Sequence, residues 1–104
     1  MTRPDDGSRP PESCTRLAHI REEIDALDDE LVALVARRMR YIARAAEIKE
    51  RPEDIRDDAR VEHIIARVRA AAEREGLRPD LAEAVWRTLV ETSITYEAER
   101  HRAE

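Results

Sequence analysis

Residues 15–50 read TRLAHIREEIDALDDELVALVARRMRYIARAAEIKE, without a glycine or a proline. Apolar residues recur at Ile20, Ile24, Leu27, Leu31 and Leu34, then at Tyr41, Ala45 and Ile48. Steps of three and four return a side chain to one face of an α-helix on every turn. The stretch therefore predicts one helix from about Thr15 to Glu50 with a continuous apolar stripe. Thr15 or Ser13 is the expected N-cap, and Pro52 ends the helix soon after Glu50.

The rest of the chain is read outward from this helix. Residues 51–57, RPEDIRD, form a loop. A second helix is expected from about Asp58 to Glu75, with Val61, Ile64, Ile65, Val68 and Ala72 on one side and Gly76 just past its end. Pro79 opens a third, running to about Arg100, with Leu81, Val85, Leu89 and Tyr96 inward. No segment alternates with the period of a strand, so the fold class is all-α, a three-helix chain.

Length then suggests an assembly. About 35 helical residues span about 52 Å at about 1.5 Å each, whereas a domain of this size has a radius of gyration of about 13 Å. The first helix overruns such a globule and leaves its stripe uncovered. A homodimer with the long helices side by side would cover it. A plain coiled coil is the simpler alternative, but the second and third helices also need a surface to bury against.

Composition narrows the classes. Of 104 residues, 41% are charged and 41% hydrophobic, so a core can form. The aromatics are Trp86, Tyr41 and Tyr96, which leaves an aliphatic core suited to packed helices. A net charge of −5 argues against a general nucleic-acid or membrane binder, and no apolar run is long enough to span a bilayer. Cys14 is the single cysteine, which excludes an intrachain disulfide and fits a reducing, cytoplasmic setting. Residues 1–13 are polar and proline-rich and read as a disordered tail before a helical domain at 14–104.

Two basic residues stand out. Arg38 falls where the stripe calls for an apolar side chain, between Leu34 and Tyr41. A buried arginine is costly unless paired, so it snorkels, pairs with an internal carboxylate, or faces a bound anion. Lys49 is the only lysine among nineteen Lys and Arg residues. Chance replacement of surface lysines would leave such a survivor; so would a need for a compact point charge, which arginine's planar fork does not supply. Lys49 lies three turns beyond Arg38 and faces nearly the same way, about 16 Å further along the axis. Arg21 is about 25 Å from Arg38 and roughly 100° around the helix. It suits the partner's pocket in an antiparallel dimer rather than its own. Several cations without a metal-ligand cluster suggest a small dianion. His19, His63 and His101 lack metal-ligand spacing and read as surface or packing residues.

Three segments together resemble the all-helical chorismate mutase family. IREEIDALDDELVALVARRM with EIK at 47–49 resembles its first helix; IRDDAR at 55–60 resembles the entry to its second. EGLRPDLAEAVWRTLVETSI resembles its third-helix region. The resemblance covers about residues 14–100 and implies an intertwined homodimer of three-helix chains with shared active sites. It implies no cofactor, no metal, and a dianionic small-molecule substrate. By the same resemblance Arg21, from the partner chain, and Arg38 bind substrate carboxylates, and Lys49 donates to the ether oxygen. Asp57 and Arg60 form a polar pair at the start of the second helix. Ser93 lies near the substrate. Glu97 stands where most members have a glutamine, the second donor to that oxygen.

The implied reaction is the pericyclic rearrangement of chorismate to prephenate in the shikimate pathway, where aromatic amino acids originate. Positioning and electrostatics are all it requires. Two residues depart from the family pattern. A carboxylate at Glu97 cannot donate and must be protonated to do so, so activity is expected to favour mildly acidic pH. Val61 replaces a glutamate that meets the substrate's C4 hydroxyl in typical mutases. Val61 and the N-terminal SCTRLAHIRE also resemble isochorismate-pyruvate lyase, a relative of the same fold that makes salicylate and pyruvate. Asp57 and IRDDAR lean to the mutase. A non-catalytic helical dimer acting as a binding or regulatory module is the alternative outside enzymes. Any complex with another shikimate-pathway enzyme stays open.

Overall fold

A computed structural model describes residues 8–103. All regular structure among them is helical. A 3-10 turn at Pro11–Ser13 precedes α1 (Leu17–Ile48); a second at Pro52–Asp54 precedes α2 (Asp58–Arg74) and α3 (Pro79–Ala103). The three expected helices are present, and α1 is the longest. The chain divides into two compact units inside α1, the first ending at Arg38 and the second starting at Met39.

In the first unit, the amides of His19 and Ile20 both bond to the carbonyl of Arg16, which places the entry to α1 at Arg16. The cap expected at Thr15 or Ser13 therefore comes too early. Ser13 closes the 3-10 turn instead, and the Thr15 amide donates to His19 Nδ1 at 3.3 Å. Arg9 Nη2 approaches Glu22 Oε2 to 3.4 Å. Residues 1–7 of the expected tail lie outside the described residues. Ile24, Leu27, Leu31 and Leu34 are exposed, Leu31 by 56%. Among the described residues this unit holds one long α-helix and no second α-helix for them to pack on.

In the second unit, α2 and α3 form an antiparallel hairpin. Gly76 ends α2 with φ +73°, and the Leu77 and Gly76 amides return to the carbonyls of Ala72 and Glu73. This double return satisfies carbonyls that the helix end would otherwise orphan. A Cβ at Gly76 would meet nothing within 4 Å, so the need for glycine is conformational rather than steric. Gly76→Ala is expected to destabilise the fold by about 1 kcal/mol, read as a lower urea midpoint with unchanged slope.

Along the hairpin, Val61, Ile65 and Ala72 of α2 and Ala82 and Val90 of α3 are buried, with Ala46 near the end of α1 and Ile55 of the loop. The α2 face is the expected one. The α3 face is so only in part: Leu89 and Tyr96 are half buried, but Leu81 and Val85, placed inward by periodicity, are 50% and 51% exposed. The buried row runs through Ala82, Val90, Ser93 and Glu97 instead. Small side chains permit close approach to α2, and apolar periodicity gives such positions little weight.

An ion-pair ladder flanks this seam. Arg69 meets Asp80 and Glu83, Arg87 meets Glu83 and Glu62, and Arg56 meets Glu91. Hydrogen bonds from Arg87 hold the Glu62 and Glu83 carboxyls below the usual carboxylate range, with Arg69 adding to the effect at Glu83; Arg56 does the same for Glu91. A carboxyl lowered on folding contributes stability above its unfolded value and loses it as pH falls through its folded value. The melting temperature is therefore expected to fall as pH drops from about 5 to about 3, and Arg87→Met should flatten that slope. A thermal-melt series across this range checks it.

Candidate active site

The second unit brings together two of the predicted site residues around one buried carboxyl. Lys49 follows α1 directly, and its amide still bonds to Ala45 O at 3.0 Å, so the last turn of the helix aims its side chain. Glu97 projects from the buried row of α3 and is 4% exposed. Lys49 Nζ lies 2.8 Å from Glu97 Oε2. The approach is off the line of a hydrogen bond, so Oε2 is buried against the cation without accepting an aligned bond. A carboxylate this deeply buried is tolerable only because the ammonium compensates it.

The loop completes the cation's surroundings. Pro52 initiates the 3-10 turn at 52–54, which closes with Ile55 N on Pro52 O. This turn carries the Ile55 carbonyl back toward the helix end, where Lys49 Nζ donates to it at 3.4 Å. The bond to Ile55 uses one of the ammonium's three hydrogens and leaves the others to meet a ligand.

The other predicted residues are distributed as follows. Ser93, one turn before Glu97, is buried; its hydroxyl donates to Leu89 O at 2.7 Å, and Met39 Sδ lies 3.5 Å away. Asp57 is the N-cap of α2, its Oδ1 accepting from the Arg60 amide at 3.0 Å. That bond fixes where α2 starts and presents the Arg60 side chain to solvent. Val61 is buried in the first turn of α2. Arg21 and Arg38 belong to the first unit; Arg21 is exposed and Arg38 half buried.

Sequence reasoning missed two contributors. The Ile55 carbonyl is backbone and has no side-chain signature. His101, read as a surface or packing histidine, is half buried and places Nε2 3.0 Å from the carbonyl oxygen of Lys49. A signal was present: Ser93, Glu97 and His101 repeat at four-residue intervals along one face of α3.

The chain matches the family described as chorismate mutase type II over residues 20–98, from the start of the α1 stripe to just beyond Glu97. The chain belongs to the chorismate mutase type II family. It is 34% identical over 80 residues to an isochorismate pyruvate lyase of Pseudomonas aeruginosa, covering 77% of this chain and 79% of the relative. It is also 34% identical over 85 residues to the T-protein of Enterobacter agglomerans, covering 81% of this chain but 23% of that longer protein. The family match thus takes in every site residue expected from the sequence and ends before His101, and no helix among the described residues is long and apolar enough to cross a membrane.

Proposed function

We propose that this chorismate mutase-type enzyme converts chorismate to prephenate. The observation that carries the reading is the Lys49–Glu97 pair: a lone ammonium held at 2.8 Å from a buried carboxyl, with a hydrogen left to donate. In the rearrangement the ether C–O bond breaks as a C–C bond forms, and negative charge grows on the ether oxygen. Lys49 donates to that oxygen, and Glu97 donates from its protonated form. Arg38 and the partner's Arg21 take the two carboxylates as bidentate forks. They hold the flexible dianion in its compact conformer, so the entropy of ordering is met by binding rather than by the chemical step. Arg60 and Ser93 line the substrate, Asp57 orders the start of α2, and Val61 offers an apolar surface.

Two observations favour a second reading, isochorismate-pyruvate lyase. One relative bears that name over most of its length. Val61 is also buried and cannot hydrogen-bond the C4 hydroxyl of chorismate. Incubation with chorismate, and separately with isochorismate, decides the matter. Prephenate supports the mutase, salicylate with pyruvate supports the lyase, and neither product supports a non-catalytic helical dimer.

The proposed assembly is a homodimer. The exposed Leu27 and Leu31, one turn apart on α1, support it. The double variant Leu27→Glu/Leu31→Glu is expected to sediment as a monomer and to lose activity. A variant that kept the wild-type sedimentation coefficient would contradict the proposal.

A further inference from the structure

We propose that His101 is a positioning residue for Lys49; the inference rests on the reading of Lys49 as the donor to the reacting oxygen. His101 sits in the last turn of α3, and its Nε2 lies 3.0 Å from the Lys49 carbonyl. A carbonyl only accepts, so Nε2 carries the hydrogen; the bond persists whether the ring is neutral in that tautomer or protonated.

The place of this bond gives it its role. The Lys49 carbonyl follows the last residue of α1 and has no partner further along the helix, because Pro52 prevents the helix from continuing. The backbone that carries the catalytic ammonium is thus at a fraying end. Ile55 and Glu97 hold the side chain's tip, and His101 holds its root. Glu97 and His101 lie one turn apart on α3, so one helix face grips Lys49 at both ends. The ammonium is thereby kept in register with the carboxyl it shares the reaction with. Arg100 Nη2, from the same turn, stands 3.8 Å from Glu47 Oε1 and adds a second tie across this end of α1.

A group that positions the donor acts on the rate step more than on substrate binding. His101→Ala is expected to lower kcat by about tenfold while changing KM less than about twofold. His101→Gln, whose amide nitrogen occupies nearly the place of Nε2, should restore most of kcat. A second readout is independent of activity. Lys49 is the only lysine, so lysine labelled with 13C and 15N gives a single side-chain signal in the spectrum. That signal should shift and broaden in His101→Ala and return in His101→Gln. A lysine signal and kcat both unmoved by His101→Ala would overturn the inference, as would equal losses in the Ala and Gln variants. If the wild-type protein turns over neither chorismate nor isochorismate, the functional reading fails. The lysine signal still decides whether His101 positions Lys49.

Discussion

Lys49→Ala is expected to lower kcat by about 10²–10³, the usual cost of removing one preorganised donor from a site where charge develops. KM should change much less, because the arginines proposed to bind the substrate carboxylates remain. The substitution also strands Glu97, which is buried and has the Lys49 ammonium beside it. Lost activity could then reflect a relaxed fold rather than a missing donor. The double variant Lys49→Ala/Glu97→Gln separates the two, since a neutral amide needs no counter-ion. If the double variant is as stable as wild type and still inactive, the loss belongs to the chemistry. Stopped-assay kinetics with circular dichroism on both variants make the comparison. Retention of full activity in Lys49→Ala would remove the central assignment.

Glu97→Gln is expected to change the pH profile more than the maximal rate. In the free enzyme the Glu97 carboxyl lies 2.8 Å from the Lys49 ammonium as an ion pair. To serve as a second donor it must carry a proton, because a carboxylate only accepts. Wild-type kcat should therefore fall as pH rises from about 5 to about 8. The glutamine variant donates at any pH and should hold its rate across the same range, overtaking wild type at the alkaline end. A flat wild-type profile would mean that Glu97 does not donate in the rate step.

The fold was legible where backbone chemistry punctuates the chain. Pro52, Gly76 and Pro79 each act through a fixed or permitted φ or a missing amide, and each marks a helix boundary as expected. The inward face of α3 was legible only in part. Leu81 and Val85 outrank Ala82, Ser93 and Glu97 on any hydrophobic scale, yet the latter three are buried. Periodicity marks apolar residues without saying which surface they serve, and it passes over small or polar residues that pack closely. Within the site, Lys49 was visible as the sole lysine and Glu97 through the family resemblance. The Ile55 carbonyl was hidden because it belongs to the backbone. His101 was hidden because a lone histidine carries no spacing signal until it is set beside Glu97.

The turn at Gly76 has a bearing on the order in which the molecule assembles. It joins α2 to α3 through a link so short that the two helices find each other with little loop-closure entropy to overcome. Their hairpin is the local, fast-forming part of the chain. The bond from His101 to Lys49 spans 52 residues and closes only when the end of α1 returns to that hairpin. The Lys49 ammonium is thus among the last groups to arrive. A refolding chain would form its hairpin before Lys49 reaches its place, and regain of secondary structure should precede regain of activity.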